Sequence, residues 1–593
     1  MDGVQIDPER AQGLRTLAVR CGGVTGTISL ADGGVFFTPD PIRGGGLFGW
    51  FTSLLRPVRP QFIPAGQLLG ARLESPCAFS VWYAPEYTAR MGCVTKRLYH
   101  ARHTPRYEVS DPHAAAELVA AIRRSASWWG RDKPPHVAAI VNPKAGRGGA
   151  VRLLRNQLLP LLRDVAGLRV TEHPTQAPGH ASMLVRELAL NVPGGGGATV
   201  DGVDLIMFVG GDGTLHEGLQ GLFQRPDWAA AREVPLVAVP CGSGNGVAAS
   251  CGLWDLTTAA VAVCRGRVAP VDVASVLQPP NSRYYCLLSV VYGAMANLDI
   301  GTNHLRWMGE LRFHLGGLRE IMRGRCYSCR VFVLPPSEAA PASASAAAGG
   351  GALRPAPAEV ALEGPDGAAQ RRAGSAAGGP RAGDDDVLVS GMREPLLREG
   401  AAASSGESAA ADAAGGARGD GGGNDHDAEG SLLSQYPPGP PLPLLSQLPR
   451  LPARLPDSPS ALPRGWQQLA DSFAIFGAYN TQYLALGARA NPGGLMGDGA
   501  WEVWQLEAQS RRAGAGLRLR CLKVLLGVED GSFARTPGVM HVTKARALLF
   551  EQRDSSTWTV LDGEAVEERP LYLEVHPGLC RLLVAPGFRE EPL

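Results

Sequence analysis

Three glycine-rich loops hold the residues of this chain that are best suited to chemistry. They are residues 142–149 (NPKAGRGG), 210–214 (GGDGT) and 240–245 (PCGSGN). Glycine lets backbone amides approach a phosphate closely, and a helix that begins at such a loop adds partial positive charge. An acid, a lysine and polar side chains stand among the glycines, which tight turns without a ligand would not explain. The three loops together therefore predict a phosphate-binding site.

Each loop follows a short apolar run, and residues 133–268 alternate such runs with apolar residues at helical spacing. The runs are HVAAIV (136–141), LRVTEH (168–173), DLIMFV (204–209) and PLVAVP (235–240). Alternating strands and helices of this length predict a parallel sheet with helices on both faces, and ligands bind in the loops after its strands. We therefore predict an α/β domain with the three loops at one edge of its sheet.

A second pattern, apolar residues with period two, covers residues 269–335 and 466–593. It predicts successive antiparallel strands arranged as a β-sandwich or a curved sheet, and we take the β-sandwich as the expected fold of this part. The strand candidates are RYYCLLSVVYG, CRVFVLP, EVWQLEAQ, LRLRCLKVLL, MHVTKARALLFEQ, WTVLDGEAVEE and LYLEVHPGLCRLLVAP.

Between these two parts, residues 336–465 are rich in Ala, Gly, Ser, Pro and Asp, with no aromatic residue between Phe332 and Tyr436. Such a stretch cannot bury enough apolar surface to offset the entropy of ordering it, so we predict a long disordered insertion. Its Pro-rich end either docks a partner domain or is a neutral insertion in a surface loop. Residues 1–132 contain strand-like pieces and one helix, DPHAAAELVAAIRRSASWW; we interpret them as an N-terminal extension or a small regulatory domain.

The composition argues against several classes of protein. The chain has 57 Lys and Arg against 56 Asp and Glu, so nucleic acid is not an expected partner. It shows neither a run of eighteen apolar residues nor an apolar signal sequence, which predicts a soluble, cytoplasmic protein. Eleven cysteines without framework spacing suit a reducing compartment. The one close pair, Cys326 and Cys329, lacks the second pair that a zinc site needs.

Several further motifs make the chain resemble the sphingosine kinases, the long-chain-base kinases of the diacylglycerol kinase superfamily. GGDGT is shared with NAD kinases and phosphofructokinases, so alone it indicates only the superfamily. The other motifs are FVGGDGTLHEGLQGL with RPDW (225–228), VPCGSGNGVAAS, RWMGELRFHLG (306–316) and DGE (562–564). The GSGN loop with RWMGELRF narrows the resemblance to the sphingosine branch. The resemblance covers residues 133–335 and 466–593.

The resemblance implies an ATP-dependent kinase that phosphorylates the primary hydroxyl of sphingosine-like long-chain bases, with Mg²⁺ as a further cofactor. It implies a nucleotide-binding catalytic domain over 133–268, followed by a lipid-binding domain. Asp212 would be the general base that takes the hydroxyl proton. Ser289 and Asp299 would face the polar head of the lipid, whose amine is cationic. The ATP site would be formed by Asn142, Lys144, Arg147, Thr171, Gly211, Gly213, Thr214, Gly242, Ser243, Gly244, Arg306, Arg312, Gly563 and Glu564.

The chain also departs from the family pattern. Thr171 and His180 match a further nucleotide-side motif, but with extra residues between them. Asn303 stands where the family has an acid near the metal, and an amide oxygen is a weaker Mg²⁺ ligand, so no metal ligand is assigned.

Three alternatives to a sphingosine kinase stay open. They are a kinase of ceramide or diacylglycerol, a non-catalytic scaffold recruited to membranes, and an NAD kinase. The last is disfavoured because NAD kinases share a downstream Asn-Glu pair, and no Asn here is followed by Glu. Because the expected substrate is a membrane lipid, we predict peripheral association with a membrane surface.

Overall fold

The N-terminal part of the chain folds into an antiparallel sheet covered by one helix. The protein is described here by a computed structural model that covers residues 15–31, 33–40, 61–91, 95–192, 202–279, 282–308, 311–336, 439–444, 454–510 and 512–590. Seven of the described N-terminal strands pair in the order β4-β3-β2-β1-β9-β6-β5, and β7 and β8 form a separate hairpin. The bounds are β1 (Arg15–Cys21), β2 (Val24–Ala31), β3 (Gly34–Pro39), β4 (Gln61–Pro64), β5 (Leu68–Ser75), β6 (Ala78–Tyr83), β7 (Glu86–Met91), β8 (Thr95–His100) and β9 (Arg106–Glu108).

The predicted helix of this region is confirmed as α1 (Pro112–Ser127). Its start is fixed by Asp111, whose side chain accepts hydrogen bonds from the amides of His113 and Ala114, and proline at the first helical position suits its fixed φ. The helix buries an apolar face against the sheet in a core that contains Leu118 and Ile122.

This N-terminal unit is bonded to the next domain rather than loosely tethered. The Ser127 hydroxyl donates to the carbonyl of Ala166 (3.2 Å), and the Trp129 indole donates to the carbonyl of Val263 (2.9 Å). In the opposite direction, Arg265 donates to the carbonyl of Leu68 (2.7 Å). These hydrogen bonds hold the N-terminal extension against the domain that follows it.

The second part is the predicted parallel sheet with its helices. Its strands are β10 (His136–Val141), β11 (Arg169–Pro174), β12 (Leu205–Gly210) and β13 (Leu236–Pro240), in the order β11-β10-β12-β13. Every residue of β10 and β12 is buried, as expected for a sheet covered on both faces. The helices are α2 (Ala145–Gly148), α3 (Ala150–Leu153) continued by two wider turns over Leu154–Leu158 and Pro160–Val165, α4 (His180–Glu187), α5 (Asp212–Phe223), α6 (Trp228–Ala231), α7 (Gly246–Ser250) and α8 (Leu256–Arg265).

The third part extends this sheet with antiparallel strands. The last strand, β25 (Leu571–Leu583), pairs in parallel with β13 through Leu236 and Leu582, and the order continues β25-β22-β17-β19-β16-β23-β24. The remaining strands are β14 (Val268–Gln278), β15 (Ser282–Cys286), β16 (Ser289–Tyr292), β17 (Tyr327–Leu334), β18 (Gln467–Gln468), β19 (Ser472–Tyr479), β20 (Trp501–Glu507), β21 (His541–Ala545), β22 (Ala547–Gln552), β23 (Thr559–Leu561) and β24 (Glu564–Val566). The predicted mixed architecture is thereby confirmed, whereas the sandwich arrangement stays a prediction.

Two pairs of antiparallel strands, β14 with β25 and β16 with β19, contribute to one apolar core. Val276 of β14, Leu573 of β25, Val290 of β16 and Phe476 of β19 all lie in the same buried cluster. The helical elements of this part lie between β16 and β17 and after β20. They are α9 (Ala294–Asp299), a 3₁₀ segment (Ile300–Met308), α10 (Leu311–Arg323) and α11 (Ala515–Gly527).

Two details differ from the sequence-based expectations. The segment LRLRCLKVLL, predicted as a strand, is the helix α11. Its alternating Leu and Arg imitate a strand, but Val524 is buried while Leu519 and Leu526 are exposed, which is a helical pattern. The other difference concerns the predicted disordered insertion, which lies mostly outside the described residues.

Two described stretches of that insertion, 439–444 and 454–465, pack against the sheet. Leu442 and Leu455 are buried in an apolar cluster together with Phe332 and Tyr572. Arg330 donates to the carbonyl of Pro456 (2.8 Å), which holds the second stretch in place. The leucines that alternate with prolines here supply the apolar surface that the rest of the insertion lacks.

Candidate active site

The three glycine-rich loops meet at one edge of the parallel sheet. The sheet register places Val141 beside Val209, and Gly210 beside Pro240, so the loops leave the sheet side by side. The second and third loops approach so closely that a Cβ on Gly242 would lie 2.3 Å from the Cα of Gly211. Only glycine fits such a contact, which explains why both loops carry it.

Asp212 lies at the start of α5, between these two loops. Its Oδ2 accepts a hydrogen bond from the amide of Gly246 (2.8 Å), and its Oδ1 accepts one from the amide of Val247 (3.0 Å). The pKa of the Asp212 carboxyl is raised to about 6, mainly by burial and also by the charge of Asp562, against the opposing effect of the amide hydrogen bonds. A carboxylate with this pKa is ionised at neutral pH and is still able to accept a proton, which suits a general base.

Asp562 is a site residue whose role the sequence reasoning missed. It is buried, and its carboxylate accepts hydrogen bonds from the amides of Leu287 (2.8 Å), Leu288 (2.8 Å) and Ser289 (2.9 Å). His216 of α5 contacts the same carboxylate at 3.1 Å. Burial alone would raise the pKa of Asp562, but the bond and charge of His216, with the other donors, hold it below its ordinary value.

Asp562 therefore joins helix α5 to the turn before β16 and to Ser289, the first residue of β16. The DGE motif was visible in the sequence, but its Asp has partners in α5 and β16, hundreds of residues away, which no local pattern reveals. Through this contact His216 supports the position of the Asp562 carboxylate. Glu217 likewise accepts a hydrogen bond from the amide of Ala181 (3.3 Å) at the start of α4.

The helix pair after β16 presents a second charged group. Asp299 ends α9, and its carboxylate lies 3.8 Å from the guanidinium of Arg312, which is almost fully buried on α10. Arg312 also donates to the amide oxygen of Asn303 (3.1 Å). Asn303, which stands where the family pattern has an acid, thus directs its amide oxygen to an arginine side chain.

One cavity of about 1520 Å³ collects most of the predicted site residues. The predicted residues that line it are Asn142, Lys144, Gly211, Asp212, Gly213, Thr214, Gly242, Ser243, Gly244, Ser289, Asp299, Arg312, Gly563 and Glu564. The backbone of Arg306 lies in the 3₁₀ segment and that of Arg147 in α2, but their side chains are outside the described part of the chain.

Thr171 is not brought to the cavity. Its hydroxyl contacts a ring nitrogen of His136 (3.1 Å) and one of His173 (3.0 Å) on the face of β11. Thr175, the residue directly after β11, lines the cavity instead. The position of Thr171 in the sequence argues against a role in the cavity. Thr171 stands inside a predicted strand, whereas the residues of the glycine-rich loops follow their strands.

Away from the glycine loops, the same cavity becomes apolar. Its walls there come from α9, α10, α11 and the strands β16, β19 and β20, so a polar end and an apolar end share one space. The apolar lining consists of Val291, Met295, Leu298, Phe313, Ile321, Ile475, Trp504, Val524, Leu525, Val528, Phe533 and Met540.

A Mg²⁺ ion at the polar end of the cavity would need oxygen ligands. Within the described residues there is no cluster of three or more His, Cys, Asp or Glu side chains that could hold a metal ion alone. Mg²⁺, however, is commonly held by one or two carboxylates together with substrate phosphates. The Glu564 carboxylate lies beside the second loop, 3.4 Å from where a Cβ on Gly213 would be. The donor set therefore fits Mg²⁺ bound jointly with a nucleotide.

Comparisons with known proteins show the family to which the chain belongs. A family model described as diacylglycerol kinase catalytic domain matches residues 136–276. The chain is 30% identical over 501 residues to human sphingosine kinase 2, covering 77% of this chain and 72% of that protein. It is 33% identical over 208 residues to sphingosine kinase 1 of Arabidopsis thaliana, covering 34% of this chain and 40% of that protein. A crystal structure of a diacylglycerol kinase from Bacillus anthracis str. Sterne gives a TM-score of 0.41 at 16% identity, covering 77% of this chain and 99% of that chain. The chain belongs to the sphingosine kinase family of the diacylglycerol kinase superfamily and is a lipid kinase.

Proposed function

We propose that this lipid kinase transfers the γ-phosphoryl group of ATP to the primary hydroxyl of a sphingoid long-chain base. The observation that supports the proposal best is a single cavity that is lined by the glycine loops and Asp212 at one end and by apolar side chains at the other. The product would be a sphingoid-base 1-phosphate, formed when the hydroxyl oxygen bonds to the γ-phosphorus and the bond to the β–γ bridging oxygen breaks.

Asp212 is the group proposed to accept the hydroxyl proton. Its carboxylate is held by two backbone amides and lies within the cavity, so its position is fixed before substrate arrives. The backbone amides of the three loops would hold the phosphates, and Lys144 and Arg312 would add positive charge. Glu564 would hold Mg²⁺ together with phosphate oxygens, and the ion would neutralise charge that develops during transfer.

Asp299 is proposed to recognise the amine of the lipid. A sphingoid amine is cationic, and a carboxylate that lines the cavity at the end of α9 offers the matching charge. Arg312 would hold this carboxylate in place, because the two groups already lie 3.8 Å apart. Ceramide and diacylglycerol carry no amine and would gain nothing from this group.

The decisive experiment measures phosphorylation of sphingosine, phytosphingosine, ceramide and diacylglycerol by wild type, Asp299→Asn and the control Asp132→Asn. Asp132 is an exposed acid outside the cavity. We expect sphingoid bases to be the preferred substrates, and Asp299→Asn to raise their KM by about tenfold or more, because a desolvated charge pair is broken. Preferred turnover of ceramide or diacylglycerol would contradict the proposal, and so would an Asp299→Asn variant with unchanged sphingosine kinetics.

The protein is further proposed to work at a membrane surface on the cytoplasmic side, where such a lipid is available. No helix within the part of the chain that the structure describes is long and apolar enough to cross a membrane. The proposal of a peripheral location is supported by the apolar cavity, since a long alkyl chain must enter it from a bilayer.

A further inference from the structure

Helices α9 and α10 are joined to each other by a group of largely buried polar side chains. Glu320 of α10 has a side chain that is only 9% exposed. Its Oε2 accepts hydrogen bonds from the hydroxyl of Tyr327 (2.6 Å) and from the side-chain amide of Asn297 on α9 (3.2 Å). The same amide also donates to the Tyr327 hydroxyl (2.8 Å), so the three side chains bond to one another in a closed triangle.

The remaining polar atoms of this triangle have partners too. Asn297 Oδ1 accepts a hydrogen bond from the buried hydroxyl of Thr557 (2.9 Å), and Glu320 Oε1 accepts one from the exposed guanidinium of Arg323 (3.1 Å). Burial raises the pKa of Tyr327, and so does its bond to Glu320, which keeps the hydroxyl protonated and able to donate. A polar network whose members are all bonded is rigid. We call Asn297, Glu320, Tyr327 and Thr557 the α9–α10 clamp.

Helix α9 depends on such contacts for its position. It spans only Ala294–Asp299, and a helix of six residues has little stability of its own in water. Gly293, the residue before it, has a φ of +68°, and a Cβ there would lie 2.7 Å from the ring of Tyr327, so only glycine suits this entry. Leu298 adds an apolar contact, since a Cβ on Gly316 of α10 would lie 3.7 Å from its Cγ. The position of α9 therefore comes from α10 and the sheet.

The clamp lies close to the carboxylate that is proposed to meet the lipid amine. Asn297 precedes Asp299 by two residues on α9, and Arg312 precedes Glu320 by eight residues on α10, which is about 12 Å along the helix. The two helices are thus joined at both ends, by the ion pair of Asp299 with Arg312 (3.8 Å) and by the clamp. Because the hydrogen bonds of the clamp are 2.6–3.2 Å long, they define the position of α9 more tightly than the ion pair does.

We propose that Asn297 and Glu320 are positioning residues for recognition of the lipid amine. They hold α9 in the place where the Asp299 carboxylate faces the cavity, and they act through that carboxylate rather than on the lipid. The inference rests on the proposed function in one respect, since it takes Asp299 as the group that meets the amine. A displacement of about 1 Å in such a group can cost about 10²-fold. A loosened clamp should therefore weaken lipid binding while the phosphoryl-transfer site stays intact.

The main test is the variant Asn297→Ala of the full chain, assayed with sphingosine in detergent micelles. Alanine favours a helix more than asparagine does, so a loss cannot be attributed to a lower helix propensity of α9. We expect the KM for sphingosine to rise about tenfold, while kcat and the KM for ATP stay within about twofold of wild type. The control Arg323→Gln removes a partner of Glu320 that is 42% exposed and does not reach α9, so all three constants should stay within about twofold.

Two variants of Glu320 test the other half of the clamp. Glu320→Gln keeps an acceptor oxygen for the Tyr327 hydroxyl, so its KM for sphingosine should stay within about threefold of wild type. Glu320→Ala removes the acceptor and should resemble Asn297→Ala. If Glu320→Ala does not fold, Asn297→Ala still carries the test, because it leaves the bond between Tyr327 and Glu320 in place. An unchanged sphingosine KM in Asn297→Ala overturns the proposal.

Two further measurements separate positioning from other roles. In the Asp299→Asn background, Asn297→Ala should change the sphingosine KM by less than about twofold, because the carboxylate that it positions is already gone; an equal effect in both backgrounds overturns the proposal. Hydrogen exchange of the amides of residues 294–299, measured without lipid or ATP, should be about tenfold faster in Asn297→Ala and unchanged in Arg323→Gln. Unchanged exchange in Asn297→Ala contradicts the clamp. Faster exchange supports it even if the substrate panel disproves the sphingoid-base assignment.

Discussion

The substitution Asp212→Asn tests the proposed mechanism most directly. A positioned general base contributes about 10²–10⁴-fold to turnover, so we expect kcat to fall by that factor. The substitution also affects hydrogen bonding beside the third glycine loop, because both carboxylate oxygens accept hydrogen bonds from backbone amides, those of Gly246 and Val247. An asparagine has one acceptor oxygen, so one of these amides loses its partner, at a cost of about 1–3 kcal/mol.

The loss of one loop contact should appear separately from the loss of the base. If the displaced amide disturbs the third glycine loop, ATP affinity falls by about tenfold, which corresponds to 1.4 kcal/mol. The assay therefore combines steady-state kinetics with calorimetric titration of ATP into wild type and variant. The expected result is a kcat effect much larger than the effect on the dissociation constant of ATP.

The pH profile separates the two roles further. Asp212 has its pKa raised to about 6, so its carboxylate is ionised and active above that pH and protonated below it. Wild-type kcat should fall about tenfold per pH unit below this point, whereas the residual kcat of Asp212→Asn should lack this dependence. A variant that keeps more than about a tenth of wild-type kcat, or that shows the same acid limb, would refute Asp212 as the base.

Three other perturbations test the architecture. Gly242→Ala should weaken ATP binding by about tenfold or more while leaving the sheet folded, because the new Cβ would lie 2.3 Å from the Cα of Gly211. Calorimetric titration measures the dissociation constant of ATP. An unchanged dissociation constant would contradict the close approach of the two loops. Asp562→Asn should lower the urea midpoint at pH 7 by the equivalent of about 3 kcal/mol, since a buried, hydrogen-bonded charge is lost. The pKa of Asp562 is depressed, so its contribution is present above the unfolded-state pKa and lost as pH falls through the folded one. The midpoints of wild type and variant should therefore converge in acid, and equal midpoints at pH 7 would refute the role. Removal of residues 345–432 should leave the melting temperature unchanged and kcat within a few-fold of wild type. Removal of 341–459 also deletes the buried Leu442 and should therefore lower the melting temperature. Equal melting temperatures of the two deletion variants would contradict the packing of this segment.

The parallel sheet could be predicted because its signal is local. Strands such as β10 and β12 are almost entirely apolar, and each ends at a glycine-rich loop, so the sequence indicates both the type of strand and the position of the loop. The positions of Asp212 and of the second and third loops followed from the same pattern. Physical proximity of these loops required only that neighbouring parallel strands end at the same edge.

The features that escaped prediction depend on distant residues. The alternation in LRLRCL favours a strand, and only the packing of α11 against α10 decides in favour of a helix. Thr171 was chosen by a motif, although the cavity lies one step beyond its strand, at Thr175. Asp562 acquires its role from His216, far back in the chain, and no spacing rule connects the two residues.

The position of β25 has a consequence for how the chain matures during synthesis. This strand, residues 571–583, lies between β13 of the parallel sheet and the antiparallel strands β14 and β22. As the ribosome works from the N-terminus, β13 and β14 are made about three hundred residues before the strand that pairs with both. Until then their backbone amides and carbonyls form open edges, so the nascent chain passes through a long period in which pairing with a neighbouring chain competes with completion of the sheet. Loss of the last two dozen residues would accordingly damage the nucleotide-binding end of the kinase as much as its lipid-binding end.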